Sequence, residues 1–177
     1  MNKIVKLTII LFLVCAIVAG VLGTVNMITE DKIAEQDRIK TAKAYASVLE
    51  ADDYEDVDFD QDSFQTIDKI AKAGDVGYVV TTTFSGAQGM ITMVVGLDSD
   101  YNCTGVYVTK HSETSGLGAK AADTTDGAWR DNLVGQGDGL ALTKDKGTVE
   151  AISGATITSR AVVTEVQTVI NAAKSRG

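Results

Sequence analysis

A turn of very small residues precedes a helix near the C-terminus, and it presents a hydroxyl group. Ser153, Gly154 and Ala155 add almost no side-chain bulk, and Thr156 follows them directly. A large group could therefore approach the backbone closely at this turn. Unpaired N–H groups at the start of the following helix favour an anion, phosphate above all. These residues suit a phosphate-bearing ligand beside Thr156, but their local chemistry alone favours the alternative, a capped helix after a glycine turn.

A second glycine-rich segment covers residues 110–120, directly after a predicted strand. Gly116 and Gly118 lie on either side of Leu117. The two glycines would let the backbone approach a flat ring, and the leucine would pack against the face of that ring. An ordinary loop at the end of a strand is the alternative interpretation of this segment.

Together these segments resemble a known family. Ser-Gly-Ala-Thr at 153–156, followed by Ile-Thr-Ser-Arg-Ala-Val, is similar to the flavinylation motif of the FMN-binding-domain family. That family includes the G subunit of the Rnf electron-transport complex and the C subunit of the sodium-pumping NADH:quinone oxidoreductase. His-Ser-Glu-Thr-Ser-Gly-Leu-Gly at 111–118 resembles the loop lining the flavin site in Rnf G subunits, with Ser115 replacing the usual proline. Glu150 stands where the family usually has aspartate, and the short chain and this loop fit the Rnf branch better.

The resemblance implies a cofactor and the residues that hold it. FMN would be bound covalently through a phosphoester to Thr156, not Thr158, and a separate flavin transferase would attach it. The resemblance implies no catalytic residue, and two separated cysteines with a single histidine argue against a metal site. The implied cofactor-binding residues are Ser153, Gly154, Ala155, Thr156 and Thr158 in the first segment, and Glu113, Thr114, Gly116, Leu117 and Gly118 in the second.

The resemblance also implies a function. The chain would be a membrane-anchored electron carrier without independent catalysis, one subunit of an Rnf-type complex that couples ferredoxin/NAD electron transfer to ion translocation. Its partners would be the other membrane subunits and the flavin transferase. The sequence contains no dinucleotide-binding fingerprint, in agreement with a subunit that does not itself bind NAD. Two alternatives remain: an exported flavin-bearing domain serving a stand-alone reductase or extracellular electron transfer, and a flavin-free anchored binding module.

Strands and a terminal helix must position both segments. Residues 78–84 and 90–97 predict a hairpin, and residues 103–109 predict a third strand. A helix is predicted over about 158–174, with Thr158 or Ser159 as its N-cap. Strands followed by helices predict an α+β fold. We therefore expect an N-terminal transmembrane helix and one FMN-binding domain in which helices pack on an antiparallel sheet.

The N-terminal region predicts a membrane anchor. Residues 7–25 form a 19-residue stretch without a formal charge, close to the roughly 20 residues that cross a bilayer core. Lys3 and Lys6 precede it, so the positive-inside rule predicts a cytoplasmic N-terminus and an extracytoplasmic domain. A cleavable signal peptide is the alternative.

A stem helix is predicted over about 30–50, with Thr29 at its start. The predicted division is 1–27 for the N-terminus and anchor, 28–62 for the stem helix and an acidic loop, and 63–177 for the FMN-binding domain.

Charge and cysteine content exclude several classes of function. Without Lys3 and Lys6, two of the 16 basic residues, the rest of the chain has 14 against 24 acidic residues, a net charge of −10. This charge argues against binding to nucleic acid or to anionic lipid. Residues 52–62 hold six Asp and one Glu but do not fit the EF-hand template, so a solvated loop or edge segment is predicted. Two distant cysteines, Cys15 and Cys103, argue against a disulfide or a metal cluster.

Overall fold

The computed structural model describes residues 3–176, which form two long helices and one five-stranded sheet. The helices are α1, Lys3–Val48, and α2, Thr156–Lys174. The strands are β1, Glu55–Val57, β2, Ile67–Ala73, β3, Gly77–Ser85, β4, Met90–Asp98, and β5, Cys103–Lys110. Short 3-10 helices occupy Gly118–Ala122, Trp129–Leu133 and Thr143–Asp145.

All neighbouring strands of the sheet are antiparallel, in the order β1-β2-β3-β4-β5. The predicted hairpin is present as β3 and β4, which pair from Gly77 opposite Asp98 to Ser85 opposite Met90. The predicted third strand is present as β5. An antiparallel sheet with helices, after an N-terminal apolar helix, confirms the predicted α+β fold.

Strands β1 and β2 were not predicted as strands. Strand β2 pairs with β3, but its register shifts between Ile67 and Lys69, so buried and exposed positions do not alternate regularly along it. Strand β1 lies inside the acidic segment, pairs only with β2, and leaves Glu55 and Asp56 exposed. The prediction that this segment is a solvated loop or an edge of the sheet is therefore confirmed.

Apolar residues cover both faces of the sheet, because successive residues of a strand point to opposite sides. Helix α2 covers one face with buried residues at helical spacing, which are Val162, Val163, Val166, Val169, Ile170 and Ala173. The other face is covered by the last turns of α1. There Ala44, Tyr45, Val48 and Leu49 pack against buried residues of β2, β3 and β4.

Helix α1 is continuous, and this corrects one prediction. Thr29 does not begin a helix, because it lies inside α1 and its Oγ1 donates to the carbonyl oxygen of Val25 at 2.7 Å. The hydroxyl of Thr29 thus bonds back to the preceding turn and does not cap a new helix.

By length and composition α1 could cross a membrane, with an 18-residue window of mean hydropathy 2.8. The chain separates into two compact units between Lys40 and Thr41; the functional division at residues 27 and 62 stays a prediction.

Candidate functional site

The two segments singled out from the sequence line the same cleft. Its volume is about 400 Å³, within the range of small-molecule sites in proteins. Three parts of the chain form its walls: residues 87–88 in the turn between β3 and β4, residues 113–118 after β5, and residues 154–158 at the start of α2. The first two lie side by side, because the β3–β4 turn and the last residue of β5 are at the same end of the antiparallel strands.

Eight of the ten predicted site residues line this cleft. They are Glu113, Thr114, Leu117, Gly118, Gly154, Ala155, Thr156 and Thr158. Ser153 instead lines a neighbouring cleft, and Gly116 lines neither of them. Sequence reasoning did not predict Ala87, Gln88 and Ile157 as lining residues. Gly86, Gln88 and Gly89 in the β3–β4 turn are the signal in the sequence that could have indicated Ala87 and Gln88.

The turn before α2 has the form that its small residues predict. Gly154 has a φ of +76°, and a Cβ atom there would lie 3.0 Å from Cδ2 of Leu117. Glycine adopts this left-handed conformation without the steric cost of a side chain. The turn therefore brings the start of α2 against the 113–118 loop.

Helix α2 begins two residues earlier than predicted, with Ala155 as its N-cap. The prediction of Thr158 or Ser159 as N-cap is wrong, because both lie in the first turns with their side chains engaged elsewhere. The hydroxyl of Thr158 donates to Glu113 at 2.5 Å, and that of Ser159 donates to the carbonyl oxygen of Ala155 at 2.9 Å. The first backbone N–H groups of α2 have no partners within the helix, and they lie at its N-terminus, which Thr156 begins.

Thr156 is half-buried at the cleft, and a cationic side chain approaches it. The Nζ of Lys144 donates to Oγ1 of Thr156 at 3.5 Å. The neighbouring Asp145 accepts two hydrogen bonds from Arg160, from Nε at 2.8 Å and from Nη2 at 3.1 Å. These bonds from Arg160 hold the pKa of the Asp145 carboxyl below its ordinary value. The Asp145–Arg160 ion pair joins the 3-10 helix that carries Lys144 to α2. The ammonium group of Lys144 therefore lies beside Thr156.

Glu113 borders the cleft and is buried, with 8% of its surface exposed. Its Oε1 accepts from the backbone N–H of Gln88 at 3.0 Å, and its Oε2 accepts from the hydroxyl of Thr158. Burial alone would raise the pKa of this carboxyl, but the hydrogen bonds outweigh burial and hold the pKa below its ordinary value. The Nδ1 of His111 accepts from the backbone N–H of Glu113 at 3.2 Å, so the histidine helps to hold the loop that carries this carboxylate.

A larger cleft of about 630 Å³ lies around Trp129. The indole Nε1 donates to the carbonyl oxygen of Glu150 at 2.6 Å, and the partly buried ring packs against the core cluster. Ser153 is the predicted site residue in this cleft. We place the candidate site in the smaller cleft, because the accessible hydroxyl, the helix start and the glycine loop converge there.

The described residues contain no group of three metal-ligating side chains. Both cysteines are free thiols. Burial raises the pKa of Cys103 to about 12, so its thiol stays protonated and unreactive at neutral pH. The chemistry of the site therefore rests on hydroxyl, carboxylate, ammonium and backbone groups.

Comparisons with known proteins find two matching families and many relatives. Residues 86–171 match the FMN-binding domain, and residues 1–48 match the RnfG N-terminal region. The chain is 34% identical to the G subunit of the ion-translocating oxidoreductase complex of Methanosarcina acetivorans, over 96% of this chain and 94% of that protein. It is 32% identical to the G subunit of the Na(+)-translocating ferredoxin:NAD(+) oxidoreductase complex of Acetobacterium woodii, over 91% and 87%. It is 31% identical to the G subunit of the proton-translocating ferredoxin:NAD(+) oxidoreductase complex of Clostridium ljungdahlii, over 94% and 89%.

Proposed function

We infer the function of this chain from its family, because it belongs to the family of G subunits of Rnf-type ion-translocating oxidoreductase complexes. It has an FMN-binding domain and a helix fit to anchor it in a membrane, and it is an electron carrier of the Rnf type. We propose further that its FMN is covalent, held by a phosphoester to Oγ1 of Thr156. A flavin transferase would attach the group, and the chain itself would perform no catalysis.

The accessibility of the hydroxyl groups carries the proposal for Thr156. Four hydroxyl residues lie between positions 153 and 159. Thr158 and Ser159 are buried, and both donate to other residues of the chain. Ser153 is exposed but lies outside the cleft. Thr156 alone among these four combines access to solvent with a position in the cleft at the first residue of α2.

The residues around Thr156 fit a phosphate group. The unpaired N–H groups of the first turn of α2 favour an anion, and a helix of 19 residues has the aligned dipole that strengthens this preference. Lys144 adds a positive charge beside the same hydroxyl. We propose that these groups hold the phosphate of the bound cofactor.

The cleft also fits the apolar part of FMN, which when bound supplies electron transfer one electron at a time. Leu117 lies at the cleft with 43% of its surface exposed, so it presents an apolar face without being committed to the core. Gly154 and Gly118 leave room for the backbone to approach a ring. We propose that Thr114 and the backbone of 116–118 contact the ring, and that the Ser153–Ala155 turn gives access to the phosphate.

We propose that the chain works inside a complex that couples electron transfer between ferredoxin and NAD to ion translocation. The relatives cited above are complex subunits aligned over most of their own length, which favours this role over a stand-alone reductase. One is named for sodium and another for protons, so membership does not select the ion. The partners would be the other membrane subunits, with the N-terminus cytoplasmic and the FMN domain extracytoplasmic.

The test is to replace Thr156 in the assembled complex. Full-length chain co-expressed with its partners and transferase should give a fluorescent band on a denaturing gel under ultraviolet light. Thr156→Ala should abolish the band, while Ser153→Ala and Thr158→Ser should retain it. Membranes with the Thr156→Ala variant should lose ferredoxin-to-NAD electron flow although the complex assembles. A band that persists in Thr156→Ala would refute the attachment site, and electron flow that persists without the band would refute the carrier role.

A further inference from the structure

We propose that Glu113 is a positioning residue that ties the three walls of the cleft together, and that it does not contact the flavin directly. This inference rests on the proposed flavin site. Sequence similarity alone implied that Glu113 and Thr158 bind the cofactor, yet in the structure the two side chains bind each other. Their role would be to hold the cleft in the shape that presents Thr156.

Both carboxylate oxygens of Glu113 are occupied by donors from the other two walls. One oxygen accepts from the backbone N–H of Gln88 at 3.0 Å. The other oxygen accepts from the hydroxyl of Thr158 at 2.5 Å. Glu113 itself belongs to the loop after β5. The carboxylate therefore joins the β3–β4 turn, the 113–118 loop and the first turn of α2.

Two glycines close the remaining space around this carboxylate. A Cβ atom at Gly118 would overlap Oε2 of Glu113, and a Cβ atom at Gly86 would overlap Oε1. Backbone thus packs directly on both oxygens, and only 8% of the residue is exposed. We infer that a ligand in the cleft does not reach the carboxylate oxygens, because protein donors and glycine backbone already surround them.

The position of Thr158 links this arrangement to attachment. Thr158 and Thr156 both lie in the first turn of α2. Fixing the Thr158 side chain to Glu113 fixes the rotation of that turn, and with it the direction of the Thr156 hydroxyl. Loss of the carboxylate would leave the buried hydroxyl of Thr158 and the backbone N–H of Gln88 without this partner, which is costly in a low-dielectric interior.

The same helix provides a matched control. Glu165 is also buried, at 6% exposed, and also accepts a hydrogen bond from a threonine hydroxyl, that of Thr82. It does not line the cleft. Glu165→Ala therefore removes a buried glutamate–threonine hydrogen bond between α2 and β3, and no residue of this pair lines the cleft.

The first experiment needs no flavin. Hydrogen exchange would be measured on the full-length chain, purified in detergent after expression without transferase. Glu113→Ala should speed exchange at Gln88 and in the first turn of α2 by about tenfold or more, and Glu113→Gln should restore most of the protection. Glu165→Ala should leave both segments as in the wild type. Unchanged exchange at both segments in Glu113→Ala would overturn the proposal.

The second experiment measures the rate of covalent flavin attachment by excess transferase, well below the melting temperature of every variant. Glu113→Ala and Thr158→Val should each slow attachment about tenfold or more, with the double variant no slower than the slower single one. Glu113→Gln and Glu165→Ala should remain within about threefold of wild type.

Two results would contradict this role of Glu113. If Glu113→Ala accepts flavin at the wild-type rate, the residue serves stability alone. If Glu113→Gln accepts flavin as slowly as Glu113→Ala while its hydrogen exchange is normal, the carboxylate contacts the flavin directly. Either result overturns the proposal, whereas a wild-type chain that accepts no flavin refutes the proposed function and leaves the exchange experiment decisive.

Discussion

At the scale of single residues, Lys144 provides a test of how the phosphate is held. Its Nζ lies 3.5 Å from Oγ1 of Thr156, and the side chain is otherwise exposed. Lys144→Gln should slow covalent flavin attachment by roughly two- to fivefold at low ionic strength, since an exposed charge contributes modestly. The difference should shrink as salt is raised, because the screening length falls to about 8 Å at physiological ionic strength.

Lys146 is the matched control for this substitution. It is exposed on the same segment and has no contact with Thr156 among the described hydrogen bonds. Lys146→Gln changes the net charge equally and should leave the attachment rate unchanged. Equal slowing in both variants would assign the effect to general charge, and no slowing in Lys144→Gln at low salt would remove Lys144 from the phosphate site.

The sequence predicts some of these residues and not others for physical reasons. The turn at 153–156 is readable because small residues, a left-handed glycine and a hydroxyl are consecutive. Lys144 is 12 positions away, and its approach to Thr156 depends on the Asp145–Arg160 pair, which is a tertiary contact. The inward direction of Glu113 likewise depends on a donor 25 positions earlier. A local pattern cannot show either contact.

At the scale of secondary-structure elements, the end of α1 and the sheet meet at two glycines. A Cβ atom at Gly96 would lie 2.6 Å from the carbonyl oxygen of Val48 and would overlap Oγ1 of Thr104. Thr104 donates to that same carbonyl oxygen at 2.6 Å. Gly105 is also close, with its Cβ position 3.1 Å from the Cα of Val48. The contact thus depends on backbone meeting backbone.

Gly96→Ala should therefore destabilise the sheet. The added methyl group must displace the backbone of Val48, and overpacking of this kind costs about 1–3 kcal/mol. Thermal unfolding of the detergent-solubilised chain should show a lower melting temperature. Gly23→Ala is the control, because no atom lies within 4 Å of a Cβ at that position. An unchanged melting temperature in Gly96→Ala would show that α1 does not pack on β4 in solution.

Elements with regular local patterns were predicted well. Strands β3, β4 and β5 alternate or form buried β-branched runs, and their ends fall within two residues of the prediction. Strand β2 was missed because the bulge between Ile67 and Lys69 interrupts its alternation. Helix α2 begins earlier than predicted because Thr158 and Ser159, which are capping residues by type, bind Glu113 and Ala155 in the folded chain. Tertiary contacts thus overrode the local signal.

At the scale of the whole molecule, charge divides the chain. Two lysines precede the apolar stretch, and the remainder carries 24 acidic residues. The net negative charge of this remainder argues against nucleic acid as a partner, which stays a prediction. Composition alone predicts an anchored, exported domain but not its function. The fold contains a cleft but does not identify its ligand, and the match to the FMN-binding domain is the basis for proposing FMN there.

The orientation across the membrane is a prediction of this charge division. With Lys3 and Lys6 in the cytoplasm, the residues after the apolar stretch should lie outside, where the flavin transferase must meet Thr156. Protease added to intact right-side-out vesicles should remove the domain and leave the anchor in the membrane. Lys3→Glu combined with Lys6→Glu removes the orienting charges and should protect a fraction of the domain, with covalent flavin falling in proportion. A wild-type domain that is protected in intact vesicles and digested only after lysis would reverse the orientation, and would place the transferase in the cytoplasm.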